Sequence, residues 1–170
     1  MPNVILDNTY LILLLPLWIF LIIMCGRFFS VYVNKKIIYL LTLLSSFLGA
    51  LLCSVSLLQV NETIEQSFSF IKINNFIISC GVHIDKLSLI VALCLFVISL
   101  LVQAFSISYT KDEPKSYRFF AYLNMFNFTM AGLLFSPNLF QMYFFWELVG
   151  VMSYLLIGFD YKKKEKSDAS

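Results

Sequence analysis

Five apolar runs, at 8–26, 37–60, 87–110, 119–135 and 139–159, occupy most of this 170-residue chain. A bilayer hydrocarbon core roughly 30 Å thick is crossed by about 20 mostly apolar residues in a helix. Inside lipid the backbone must satisfy its own hydrogen bonds, so runs of this kind become helices rather than irregular chain. An overall composition of 60% hydrophobic and 13% charged residues, with a mean hydropathy of +0.85, excludes an ordinary soluble domain. The sequence therefore predicts an all-α membrane protein with five transmembrane helices.

The first run contains no charged residue, with Pro16 a potential kink point and Trp18 midway. A cleaved signal peptide starts with a basic segment and ends at small residues. Here Asp7 precedes the run and Arg27, Lys35 and Lys36 follow it, which reads as a retained first helix. The second run carries a small-residue patch, Ser45, Ser46, Gly49 and Ala50, that suits close helix packing. Residues 61–85 break the pattern. Ser67-Phe68-Ser69-Phe70 alternates with period two, and Asn74-Asn75 offers a turn before Phe76-Ile77-Ile78, so a short extracytoplasmic β-hairpin is predicted at about 62–82, between helices 2 and 3. Asp85 sits where a helix N-cap belongs, before the third run. Ser136-Pro137-Asn138 marks a tight turn between the fourth and fifth runs.

Charge orients the array. With alternating helices, Arg27, Lys35, Lys36, Lys111, Lys115, Arg118, Lys162, Lys163, Lys164 and Lys166 fall on one side, against Lys72 and Lys86 on the other. Basic residues concentrate on the cytoplasmic side of membrane proteins. Ten against two predicts an N-terminus outside and a C-terminus in the cytoplasm or its equivalent.

The fifth run holds a carboxylate. Glu147 lies about 12 Å into a helix beginning near Leu139, at about 1.5 Å per residue. A charged side chain at that depth costs on the order of 2.5–3.5 kcal/mol on insertion scales and ordinarily faces protein or water. Tyr143, Glu147, Gly150, Tyr154 and Gly158 share one helical face. Two hydroxyls and two glycines beside an acid read as a face turned to protein with room for water. The functional reading is a protonatable site; the structural one is a glutamate that joins two helices.

The remaining polar residues have plainer readings. His83 is a surface hydrogen bonder before it is a proton relay, and Arg118 anchors a helix at the cytoplasmic boundary. Cys25, Cys53, Cys80 and Cys94 show no CxxC spacing and read as small hydrophobes, not as metal ligands or disulfides. No phosphate loop, dinucleotide-binding glycines, nucleophile elbow or metal-ligand spacing is present in the sequence. Chemistry in such a chain is ion movement, or it belongs to a partner.

Several segments together carry a resemblance: Gly81-Val82-His83-Ile84-Asp85-Lys86-Leu87-Ser88, Arg118-Phe119-Phe120-Ala121-Tyr122-Leu123, Asn138-Leu139, and the block from Trp146-Glu147-Leu148-Val149-Gly150 through Ser153-Tyr154-Leu155-Leu156-Ile157-Gly158-Phe159. The chain resembles the largest antiporter-like subunit of the proton-pumping NADH:quinone oxidoreductase, respiratory complex I (chain L in bacteria, chain 5 in mitochondria). The resemblance implies a proton-translocating subunit with no cofactor of its own, flavin mononucleotide and iron–sulfur clusters belonging to partner subunits. It implies that Glu147 is the essential glutamate of the fifth helix, pairing with a lysine two helices further on, with Tyr154 and Ser153 in support. It also implies a neighbouring antiporter-like subunit and other membrane-arm subunits as partners, and no NADH oxidation by the isolated chain. The membrane expected is the bacterial inner membrane, with the mitochondrial inner membrane as the alternative.

On that resemblance, residues 1–118 form an N-terminal region and 119–160 the first two helices of the antiporter-like domain. Residues 161–170 form a basic cytoplasmic tail, and relatives run on from there into further helices, so an N-terminal fragment is expected. Met152 departs from the cysteine of many relatives, an apolar swap. Two other readings stay open: a fragment of the large subunit of a multi-subunit Na⁺/H⁺ antiporter, and a structural remnant that does not pump.

Overall fold

The computed structural model describes residues 2–28, 34–60, 62–73, 76–110, 113 and 116–160. In chain order these form α1 (Pro2–Phe28), α2 (Lys35–Gln59), β1 (Ile64–Ile73), β2 (Phe76–Ile84), α3 (Lys86–Tyr109), α4 (Ser116–Leu134) and α5 (Leu139–Ile157), closed by a 3₁₀ turn at Gly158–Asp160. The fold is mostly helical. Four of the five helices, all but α4, are long and apolar enough to cross a membrane. α4 falls outside that set because it carries Asn124, Asn127 and Thr129, and these three residues are buried among neighbouring helices.

The distribution of residue types is that of a bundle made for lipid. The buried residues of α2 are Ile38, Thr42, Ser45, Ser46, Gly49, Cys53 and Ser56, whereas Leu40, Leu44, Phe47 and Leu58 point outward. Lipid tails are as apolar as leucine, so small and polar side chains are the ones that gain from meeting another helix. The small-residue patch accordingly faces α3 and α4. A Cβ on Gly49 would come within 2.7 Å of the fully buried Phe96 ring, so a larger residue there must displace that ring.

α4 is the hub, packing on α1, α2, α3 and α5. Two apolar clusters flank it. One joins α1, α2, α3 and the strands around Ile12, Cys53, Ile84 and Phe96; the other joins α1, α2 and α4 around Ile23, Ile38 and Phe120.

β1 and β2 pair antiparallel from Ile64 opposite Ile84 to Ile73 opposite Phe76, with an irregularity between Ser69 and Ile71. The strands run from Ile64 to Ile84, two residues later at each end than the predicted 62–82 segment, and the turn read at Asn74-Asn75 lies outside the described residues. Gly81 is pressed against β1: a Cβ there would lie 2.0 Å from the Gln66 carbonyl. The hairpin is tied to the α4–α5 turn. His83 N–H donates to Phe135 O at 2.9 Å, Asn138 Nδ2 donates to Ser79 O at 2.6 Å, and Gln141 exchanges two bonds with the Gly81 backbone at 2.9 and 3.0 Å. At the opposite end of the bundle Lys35 Nζ donates to Glu113 O at 3.1 Å, joining the start of α2 to the segment before α4.

The helix starts are capped by side chains. Asn34 accepts from Lys36 N–H at 3.1 Å, and Asn138 from Gln141 N–H at 2.9 Å. Asp85 accepts from Ser88 N–H at 2.7 Å and from the Ser88 hydroxyl, which makes it the cap read from the sequence. The first helix extends beyond its predicted 8–26 limits in both directions.

Candidate functional site

Glu147 sits one residue from the midpoint of α5, a helix with mean apolar character so high that nothing local explains an acid there. It is the one charged residue within the five apolar runs. Tyr143 lies one turn earlier on the same face, exposed like Glu147.

That face is turned away from the rest of this chain. α5 packs on α4 through Phe145, whose ring meets Phe128 edge to face at 5.7 Å, and through the buried Met152. Tyr143, Glu147, Gly150 and Tyr154 are exposed on the other side, and a Cβ on Gly150 would meet no atom within 4 Å. The expectation of a face covered by protein is thus not met among the described residues. Among the described residues, no other helix meets this face. Ser153 is half-buried on the flank and does not join Glu147 on the exposed face. Beside the site, Leu133, Leu134, Leu139, Met142, Tyr143 and Trp146 line an open apolar hollow.

Other sequence candidates fall outside this site. His83 is part-exposed, with Nδ1 3.8 Å from Glu65 Oε2 on the paired strand. Exposed pairs of that kind contribute little. Asp85, next to the hairpin, has its carboxyl held below the usual range by the Ser88 hydroxyl and backbone N–H, with a smaller contribution from His83. Arg118 lies 6.0 Å from the centre of the Tyr117 ring at the start of α4. All four cysteines are free.

A second polar group escaped the sequence reading. Thr42, Ser45 and Ser46 of α2, Ser99 and Gln103 of α3, and Asn124 and Asn127 of α4 are all buried. Ser45 Oγ lies 2.7 Å from Asn124 Oδ1, and Asn127 Nδ2 donates to Ser99 Oγ at 2.7 Å. The available signal was spacing: Ser99 with Gln103, and Asn124 with Asn127, recur at one-turn intervals inside apolar runs.

Inward small and polar faces, outward leucine and phenylalanine, and long charge-poor helices define a multi-pass membrane protein. Comparison with known sequences narrows the class. Residues 70–120 match the family model for the NADH-ubiquinone oxidoreductase (complex I) chain 5 N-terminus. Residues 136–170 match that for the transmembrane region of NADH:quinone oxidoreductase and Mrp antiporters. NAD(P)H-quinone oxidoreductase chain 5 of the cyanobacterium Picosynechococcus is 40% identical over 114 residues, covering 67% of this chain and 17% of the relative. The chloroplastic subunit 5 of Mesostigma viride is 39% identical over 119 residues, covering 69% and 18%. Chain 5 of Synechocystis is 40% identical over 112 residues, covering 66% and 16%.

The chain belongs to the complex I chain 5 family of antiporter-like membrane subunits. It spans less than a fifth of the length of these relatives.

Proposed function

We propose that the chain is the N-terminal part of a proton-pumping membrane-arm subunit of an NAD(P)H:quinone oxidoreductase, and that Glu147 carries a proton along its path. The observation that carries this reading is a lone carboxylate deep in an apolar helix, on a face that the described residues leave uncovered, with a tyrosine and a glycine on the same face. Such residues face protein or water-filled interior in a finished membrane assembly. The covering helix therefore comes from elsewhere in the assembly, and a cationic side chain on it would offset the charge.

The wider arrangement follows from the same reading. The five helices cross the membrane with the N-terminus outside, residues 1–118 form the N-terminal region, and 119–160 open the proton-translocation domain. α4 crosses as well, its asparagines shielded by its neighbours. Tyr154 and Ser153 support Glu147 through partners outside this chain. Electron transfer, with flavin and iron–sulfur groups, belongs to other subunits, and the neighbouring antiporter-like subunit is the nearest partner. The membrane is an energy-converting one of the kind that houses the relatives.

The test is Glu147→Gln in the assembled complex. Protons moved per electron should fall several-fold while NAD(P)H oxidation by uncoupled membranes changes less. An unchanged proton-to-electron ratio would remove Glu147 from the path and leave a structural role. The match of residues 136–170 extends to Mrp antiporters, so the second reading is a Na⁺/H⁺ antiporter subunit. Co-purification of the chain with flavin and iron–sulfur subunits supports the first reading, and their absence the second.

A further inference from the structure

The buried polar group between α2, α3 and α4 is incomplete as protein alone. Asn124 closes its own bonds: Oδ1 faces Ser45 Oγ at 2.7 Å and Nδ2 donates to Phe120 O at 2.8 Å. Its neighbour one turn on does not. Asn127 Nδ2 donates to Ser99 Oγ at 2.7 Å and reaches Ser46 Oγ at 3.4 Å, and Gln103 Nε2 reaches the same Ser99 oxygen at 3.4 Å. Gln103 Oε1 and Asn127 Oδ1 accept no hydrogen bond from the described residues, though both side chains are wholly buried.

Exchanging amide oxygen and nitrogen does not remove the deficit. Ser46 and Ser99 hydroxyls can donate to a carbonyl as readily as they accept from an amide. Either way, one end of each amide faces the hydroxyls and the other end stays unpaired. A buried, unsatisfied polar group costs about 1–3 kcal/mol, and here two amides that share one serine through their nitrogens each leave an oxygen unpaired.

We propose that this interface binds a water molecule held by the Gln103 and Asn127 amides beside the Ser99 hydroxyl. Buried waters in proteins typically make two to four hydrogen bonds to such groups. The two unpaired atoms are both acceptors and a water has two donors, so one molecule seated between them would complete both. Because water also accepts, the site survives either amide assignment. A metal cation does not fit as well. Thr42, Ser45, Ser46, Ser99, Gln103, Asn124 and Asn127 are all neutral, and an uncompensated charge in a buried site is far more costly than a neutral ligand. The site is independent of Glu147, which lies on the opposite side of α4's partner helix α5.

The deciding measurement is an experimental density map of the native membrane assembly that contains this chain, at a resolution that shows ordered water. A single peak within hydrogen-bonding distance of both amides is expected. Three results would overturn the proposal: no peak, a direct bond from either unpaired atom to another protein group, or a peak ringed by oxygens at the short distances of a metal ion. Thermal unfolding of the assembly supplies a second check through Gln103→Leu, Asn127→Leu and the pair. Each single variant should lower the midpoint, and the double variant should lower it no further than the worse single, because both lose the same molecule. Additive losses overturn the shared water. Exchanging sodium for potassium should leave all the midpoints unchanged, and a sodium-dependent midpoint would assign a cation instead.

Discussion

Asp85 acts at the boundary where chain leaves the hairpin and enters α3, and its carboxylate is bonded only when charged or able to accept. Ser88 supplies both a hydroxyl and a backbone N–H to it, and these hold the carboxyl below its ordinary value of 3.8. A lowered folded-state pKa means the folded chain binds fewer protons than the unfolded one. The stabilisation is therefore complete above the unfolded value and is lost as pH falls through the folded one. Asp85→Ala should cost about 0.5–2 kcal/mol near neutral pH, with Asp85→Ser recovering most of it. The gap between wild type and Asp85→Ala, measured as unfolding midpoints of the assembly, should close in acid below the ordinary carboxylate range. A constant gap would mean that the cap's charge contributes nothing. Asp85 and Glu147 were both legible from sequence, since an acid before or inside an apolar run stands out on hydropathy alone. Gln103 and Asn127 were not. Hydropathy marks an amide as polar without saying whether it is bonded, and only three-dimensional packing shows that its outer atom meets no partner among the described residues.

At the scale of elements, the bundle is held by contacts that trade side-chain volume for proximity. α2 and α3 meet at Gly49 and Phe96, where the next atom on glycine would enter the phenyl ring. Overpacking a core typically costs about 1–3 kcal/mol, while glycine in a helix interior already forgoes about 1 kcal/mol of propensity relative to alanine. Gly49→Ala should thus come out between neutral and about 2 kcal/mol destabilising, and Gly49→Val should destabilise more, with Phe96→Ala restoring part of the loss in the double variant. Unfolding midpoints of the four proteins check this. A Gly49→Val loss untouched by Phe96→Ala would place the strain elsewhere. The small patch around Gly49 was readable as a packing face because four small residues fall within six positions of an otherwise bulky run. The attachment of the hairpin to α5 was not readable. It rests on Gln141 matching both polar groups of the Gly81 backbone, a pairing across sixty residues that no local pattern announces.

For the whole molecule, the contacts sort the connecting segments to two ends, and the charge rule predicts different sides of a membrane for them. Tyr10 Oη donates to Gln66 at 3.1 Å and His83 N–H to Phe135 O, which gathers the chain start, the hairpin and the α4–α5 turn at one end. Lys35 reaches Glu113, and Tyr39 Oη lies 3.3 Å from Ser116 Oγ, which gathers the basic segments at the other. The helical array was legible from run length; the orientation is an expectation from charge, and the 161–170 tail that supplies four of the ten lysines and arginines assigned to the inner side lies outside the described residues. The orientation we propose is therefore testable with two positions that the structure does place. Glu65 on β1 and Lys36 at the start of α2 are both exposed, at opposite ends. In a background lacking the four native cysteines, a membrane-impermeant maleimide added to intact cells or right-side-out vesicles should label Glu65→Cys and spare Lys36→Cys. Inverted vesicles should reverse the pattern. Labelling of both from the same side would break the two-ended arrangement itself. The reversed pattern would keep that arrangement and overturn the orientation, which would move the basic segments outside against the charge rule that sets membrane topology.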